Sequence, residues 1–384
     1  MNNKSHGEVI QFIRDWYKQP EGFIPLHAPR FAGNEKKYLN ETIDSTYVSS
    51  VGPFVDQFES MMREYTGAKY AVAIVNGTAA LHMGLLLAGV KRDELVITQA
   101  LSFIATCNAI SYIGAEPYFV DVDQNTLGLS ARALELFLEN VVMKEGVAIH
   151  QPSGKRVAAC VPMHTFGIPC EIDRIVSLCD QYQIPVVEDA AESLGSLFQG
   201  KHTGTFGKIG TYSFNGNKTI TCGGGGILVT NDEALGKMAK HLTTQAKVPH
   251  RWEFVHDHVG YNYRCPNLNA ALACAQMEQL EAFIEDKKQT ADAYKKFFSE
   301  TQYHFVEATS ASRSNHWLNA ILLTDQQERD AFLQTTNDAQ VMTRPAWALM
   351  HRLQMFSHCG HDGLKNSIDI ESRLVNIPSS VRGD

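Results

Sequence analysis

The chain reads as an α/β protein. Its large domain carries a mostly parallel, seven-stranded sheet flanked by helices, and a smaller C-terminal α+β domain follows. Three observations predict this. Between about residues 67 and 230, seven short apolar, often β-branched runs alternate with helical segments, the pattern of strands covered on both faces by crossover helices. At 384 residues the chain exceeds what one small core organises. Near residue 250 the alternation gives way to a long helical pattern. The expected divisions are an N-terminal helical extension over 1–22, a large domain over 23–250 and a small domain over 251–384.

Taken in order, residues 9–17 form an amphipathic helix before the break at Pro20. Residues 70–75 are the first strand, Asn76-Gly77-Thr78 a turn, and 79–88 an apolar helix. Strand 95–97 precedes helix 102–113, and 117–120 and 157–162 are strands. Helix 171–181 precedes strand 185–187, and strands 209–214 and 226–230 complete the set. The polar stretch 144–156, with Pro152-Ser153-Gly154-Lys155, reads as a surface hairpin or loop insertion. Over 267–294, Leu268, Ala271, Leu272, Ala275, Gln276 and Leu280 lie near heptad spacing and predict one long helix. Residues 318–323 are a strand and 326–336 a helix.

Composition narrows the function classes. A net charge of −8, a pI near 6.0 and the lack of a dense Lys/Arg block argue against a nucleic-acid partner. No run approaches the ~20 apolar residues of a membrane span, and the first eight residues lack the apolar core of a signal peptide. The eight cysteines form no C-x-x-C pair, which predicts reduced, buried thiols in a cytoplasmic protein. The scattered histidines form no H-x-x-x-H or H-E-x-x-H pattern, so no metal site is expected.

Two residues carry the chemistry. Lys218 sits in Ser213-Phe214-Asn215-Gly216-Asn217-Lys218, and Asp189 ends the apolar run from Ile184, 29 residues upstream. A lysine able to form an imine and an acid that keeps a ring nitrogen protonated are the two groups that pyridoxal phosphate requires. Gly223-Gly224-Gly225-Gly226 follows and lets backbone pass close to a ligand. Asn76-Gly77-Thr78 opens a helix whose free N–H groups suit a phosphate, and Ser213 can add a hydroxyl to it. Phe103, at a strand-to-helix junction, can stack on a flat ring. Glu192, one turn beyond Asp189, can face the same cleft. Ligands of such sheets bind beyond the carboxyl ends of the strands, where these residues converge.

With those residues in place, the chain resembles the DegT/StrS sugar aminotransferases, pyridoxal-phosphate enzymes of fold type I. The resemblance runs from about residue 24 to 380. It includes Ser49-Ser50-Val51-Gly52-Pro53-Phe54-Val55, Asn76-Gly77-Thr78-Ala79-Ala80-Leu81-His82, Glu188-Asp189-Ala190-Ala191-Glu192-Ser193-Leu194-Gly195 and Gly260-Tyr261-Asn262-Tyr263-Arg264. Asn215-Gly216-Asn217-Lys218, Thr243-Thr244-Gln245-Ala246-Lys247 and Thr343-Arg344-Pro345-Ala346-Trp347 are similar to enzymes that aminate C4 of nucleotide-linked 4-keto-6-deoxy sugars. The bacillosamine and legionaminic acid subgroup is the nearest, and the insertion at 151–156 resembles its legionaminic-type members. Cys265-Pro266-Asn267-Leu268-Asn269 replaces the family's usual Leu-Thr-Asn-Ile-Gln, and a final helix that relatives often carry after the counterpart of Ile377-Pro378-Ser379-Ser380 is not expected here.

The resemblance implies that Lys218 holds the cofactor and shuttles the proton, and that Asp189 binds the ring nitrogen. It places Gly77, Thr78 and Ser213 on the phosphate and Phe103 on the ring, with Glu192 nearby. Asn262 would reach the phosphate of a neighbouring subunit's cofactor, making a homodimer with shared sites. Arg344 and His351 would bind the nucleotide sugar; a guanidinium suits a diphosphate. The implied reaction moves the amino group of L-glutamate to C4 of a UDP-2-acetamido-2,6-dideoxy-4-keto-hexose for surface glycan biosynthesis. The alternatives are a GDP-4-keto-6-deoxymannose 4-aminotransferase of the perosamine synthase type, or a non-catalytic regulator on the same fold. A pyridoxamine-dependent dehydratase is disfavoured, because those relatives lack the lysine.

Overall fold

The structure, a computed structural model, describes residues 5–383. Seven strands make the large sheet: β1 (Tyr70–Ile74), β2 (Leu95–Gln99), β3 (Glu116–Val120), β4 (Val157–Val161), β5 (Val187–Asp189), β6 (Ile209–Ser213) and β7 (Gly226–Thr230). Their spatial order is β3-β2-β4-β5-β6-β7-β1, with β4 and β5 joined by the parallel bridges Cys160↔Val186 and Met163↔Asp189. Only β7 runs against its neighbours β6 and β1; the other pairings are parallel. Every residue of β2, β4, β5 and β7 is buried, as a sheet covered on both faces requires.

One face packs helices Gly77–Leu87, Ile104–Ile113 and Glu233–Thr243, and the other packs Pro53–Thr66 and Asn267–Met277. Helix Gly77–Leu87 has apolar residues all round, as its burial demands; Asn76 caps it by accepting from Ala79 N–H at 2.8 Å. Helices Ala131–Leu138 and Ile172–Gln181 close the far end of the sheet. The polar stretch expected as a hairpin or loop over 144–156 begins inside a hairpin, Val141–Lys144 against Val147–His150, and continues beyond it as a turn.

The C-terminal part forms a four-stranded antiparallel sheet in the order His304–Phe305, Asn319–Leu322, Leu374–Ile377, Arg344–Pro345. The N-terminal helix His6–Trp16 buries Val9 and Ile13 in this region, against Tyr294, Phe298 and Phe332. The single helix expected over 267–294 is two, Asn267–Met277 and Leu280–Phe298. At the break, the Gln279 side chain turns aside to donate to Glu35 at 2.6 Å, so the two helices can meet different surfaces. All eight cysteines are free and buried, and among the described residues no helix is long and apolar enough to cross a membrane.

One glycine shows how tightly the end of β5 is built. A Cβ at Gly210 would stand 1.9 Å from the Gly204 carbonyl oxygen, and the Gly204 N–H is itself bonded to Glu188 at 2.7 Å. Gly210→Ala is therefore expected to destabilise the protein by about 3 kcal/mol. Gly216→Ala, with nothing within 4 Å of its added carbon, should change stability by less than about 0.5 kcal/mol. Thermal melting of the two variants checks this.

Candidate active site

A cavity of about 310 Å³ opens beyond the carboxyl ends of the strands. The helix after β1 lends it Asn76, Gly77, Thr78 and Leu81; the segment after β2 lends Phe103 and Ala105. Met163 follows β4, Asp189 ends β5 with Ala191 and Glu192 after it, and Ser213 ends β6 with Asn215, Asn217 and Lys218 after it. Trp317 and Trp347 arrive from the C-terminal part of the chain. A larger cleft of about 540 Å³, between helix Leu280–Phe298 and residues 305–319, holds none of the residues selected from the sequence.

Alternation along β5 sends its two terminal acids to opposite faces. Glu188 turns away from the cavity. It accepts Phe206 and Gly207 N–H at 2.6 Å and Gly204 N–H at 2.7 Å. Cys170 N–H donates to His164 Nδ1, which leaves His164 Nε2–H to donate to Glu188 at 3.1 Å. Asp189 faces the cavity. Its carboxylate accepts from Thr106 Oγ1 at 2.6 Å and Ala191 N–H at 3.1 Å. Burial raises its pKa, while the Thr106 hydroxyl, the Ala191 N–H and the Lys218 charge pull it back. A cation at this carboxylate would offset the burial, and a pyridinium N–H supplies one.

At the opposite wall, helix Gly77–Leu87 points its N-terminus at Ser213. A Cβ on Gly77 would lie 2.8 Å from Ser213 Cβ, so only glycine lets the helix start come this close to β6. The first N–H groups of a helix have no intrahelical acceptor, and together with the Thr78 and Ser213 hydroxyls they suit a phosphate.

Lys218 stands between these walls. Its Nζ is 3.5 Å from Glu192 Oε1 and 4.1 Å from the centre of the Trp317 ring. Glu192 Oε2 accepts Phe166 N–H at 2.9 Å. Burial pushes the Glu192 carboxyl up to about 7, with the Lys218 charge opposing. An amine, a carboxyl poised near neutrality, a buried acid and a helix N-terminus around one cavity fit pyridoxal phosphate. Asp189 would hold its nitrogen, Lys218 its carbonyl carbon and the Gly77–Thr78 backbone its phosphate.

The cavity thus gathers Gly77, Thr78, Phe103, Asp189, Glu192, Ser213 and Lys218, and does not include Asn262, Arg344 or His351. Asn262 is exposed and bridges to Thr244. Arg344 is exposed at the edge of the C-terminal sheet, opposite Asn376. His351 follows Met350, whose N–H bonds to the Ala100 carbonyl; its ring packs on His361, and its Nδ1 is buried and unpaired. The glycine run after Lys218 does not line the cavity either. Gly225 and Gly226 are required by close packing, on Cys222 Sγ and the Asn76 carbonyl. Trp317, Trp347 and Met163 went unselected in the sequence, where only the Trp347 segment carried a family signal. Among the described residues, one group with metal-ligand atoms, His241, Asp257 and His258, lies on the surface away from this cavity.

Residues 29–382 match the model of the DegT/DnrJ/EryC1/StrS aminotransferase family. The chain is 37% identical over 357 residues to GDP-perosamine synthase of Escherichia coli O157:H7, covering 93% of each. Among solved structures, the aminotransferase TlmJ from Streptoalloteichus hindustanus superposes with a TM-score of 0.84 at 25% identity, over 93% of this chain and 94% of that one. Spr1654 from Streptococcus pneumoniae in its PLP-form shares the fold, with a TM-score of 0.84 at 20% identity over 93% and 94% of the two chains. The chain is a fold type I enzyme of the DegT/DnrJ/EryC1/StrS aminotransferase family, and pyridoxal phosphate is its cofactor.

Proposed function

We propose that this enzyme moves the amino group of L-glutamate to C4 of a nucleotide-linked 4-keto-6-deoxy sugar. The observation that carries the reading is the grouping of Lys218, Glu192 and Asp189 around one cavity in a chain whose 37% identity to a GDP-perosamine synthase runs nearly end to end. That relative's name favours a GDP-linked 4-keto-6-deoxymannose over the UDP-2-acetamido sugar first expected from the sequence. One observation supports the latter: the insertion at 151–156, which resembles legionaminic-type enzymes and follows the hairpin Val141–His150.

Pyridoxal phosphate supplies a carbonyl carbon that accepts an amino group and a ring that takes up the electrons of a broken C–H bond. This chain's residues do the rest. Asp189 holds the ring nitrogen protonated, so the ring stays an electron sink. The start of helix Gly77–Leu87 and the Thr78 and Ser213 hydroxyls orient the phosphate, and Phe103 covers the ring. Lys218 anchors the cofactor and, once displaced by the incoming amine, carries the proton between the donor or sugar carbon and the cofactor. Glu192, 3.5 Å from that amine, exchanges protons with it. The amino group passes through the enzyme, so the kinetics are ping-pong. Arg344 and His351 lie outside the cavity and serve the nucleotide end of the substrate.

A second copy completes the site. Tyr47, Val51, Trp252, Phe254 and Val259 are each more than half exposed, apolar side chains that a homodimer partner would cover. Asn262 lies on the segment just after this group and reaches the partner's phosphate site.

The function is tested by the visible spectrum of the holoenzyme. L-glutamate should bleach the cofactor band, and one of four sugars, UDP- or GDP-linked and 2-acetamido or 2-hydroxy, should restore it; restoration by none removes the sugar reading. Lys218→Ala should abolish the band and lower turnover at least about 10³-fold. Glu192 is protonated below about pH 7 and charged above it, and only the charged form can take a proton from Lys218. The rate should therefore fall on the acid side of pH 7, and Glu192→Gln should flatten that limb of the profile. Mixing inactive Lys218→Ala with inactive Asn262→Ala subunits should restore up to about a quarter of wild-type activity, because a random mixture places both intact residues in one of the two sites of half the dimers. No restoration would place Asn262 in its own subunit's site.

A further inference from the structure

We propose that Trp317 and Glu192 form a holding position for the Lys218 amine, which makes Trp317 a positioning residue for the proton carrier. The proposal rests on the role given to Lys218 above. The amine lies 4.1 Å from the centre of the Trp317 ring and 3.5 Å from the Glu192 carboxyl. Both contacts attract a charged amine, the ring through its quadrupole and the carboxylate through its charge. A lysine carries its amine on a flexible four-carbon stem with several rotamers of similar energy. An amine that is released and re-engaged within each turnover gains from a fixed place to return to.

Trp317 is suited to fix that place because it is itself held from three directions. Its indole N–H donates to the Asn217 carbonyl at 2.6 Å, tying the ring to the residue next to Lys218. Its backbone N–H donates to Asn315 Oδ1 at 2.9 Å. Its carbonyl accepts from Lys287 Nζ at 3.2 Å, and Lys287 also donates to the carbonyls of His316 and Ser379. Lys287 is fully buried, which lowers its pKa to about 7, and these carbonyls take the place of water around its amine. These bonds tie the ring to the segment that carries Lys218, so the indole face stays within reach of the amine.

The test uses the apoprotein and reads Lys218 itself. Limiting acetic anhydride at pH 8 acetylates free amines, and mass spectrometry compares Lys218 with the exposed Lys91. Trp317→Leu keeps apolar bulk and removes the aromatic face. It should raise the Lys218-to-Lys91 labelling ratio roughly 2- to 30-fold, the range a cation–π contact supports. Trp317→Phe, which keeps an aromatic face, should lie closer to wild type than to Trp317→Leu. A folded Trp317→Leu protein that labels Lys218 at the wild-type ratio overturns the holding position. Should that variant not fold, Trp317→Met is judged by the same two outcomes. The role of Lys218 stands or falls separately: a wild-type holoenzyme without a glutamate-bleached band removes it, whatever the labelling shows.

Discussion

Neighbouring carboxylates at the end of β5 face opposite ways, and the site depends on the contrast between them. Glu188 is fully buried and would be costly there unless its lone pairs were met. Three backbone N–H groups and the His164 ring meet them, all within 3.1 Å. The bonds fasten residues 204–207 beneath the sheet and bring His164 and its 3₁₀ turn alongside β5. With Glu188 so constrained, the strand cannot slip, since a shift of one residue would exchange the faces of the two acids. Asp189 is thereby presented to the cavity with only the Thr106 hydroxyl and the Ala191 N–H on its oxygens.

The same economy governs the other charges. Asp189, Glu192 and Lys218 lie close enough for their ionisation to be coupled, and burial works against the charged acids while the amine favours them. Such an arrangement contributes little to stability and suits proton transfer, because small changes in contact move a proton between neighbours. The phosphate end is built without a formal charge, from a helix N-terminus and hydroxyls brought together by a glycine.

Asn315 is the joint through which the C-terminal part closes the cavity. Its side-chain N–H groups donate to the carbonyls of Glu192 and Leu194 and to the Thr219 hydroxyl, at 2.9 to 3.1 Å, while its oxygen accepts the Trp317 N–H. A single amide thus touches the segments that carry Glu192, Lys218 and Trp317. Gly167 has no side chain for a related reason: a Cβ there would stand 1.9 Å from Asn315 Oδ1.

The sequence by itself determined the strands of the large sheet, the fold type, the cofactor and the lining residues at strand ends. Buried parallel strands leave continuous apolar runs, and Asp189, Gly77, Ser213 and Lys218 lie within or just beyond such runs, where the fold places a site. Tertiary structure decided what has no local signal. At the break Gln279 donates to Glu35, a contact between distant segments that no periodicity over 267–294 could disclose. Trp317 reads as one more core aromatic until Asn315, Lys287 and Asn217 hold it over Lys218. The separation of Arg344 and His351 from the cavity, and the packing role of the glycine run, likewise depend on contacts between residues far apart in the chain, and residue type alone carries no record of such distances.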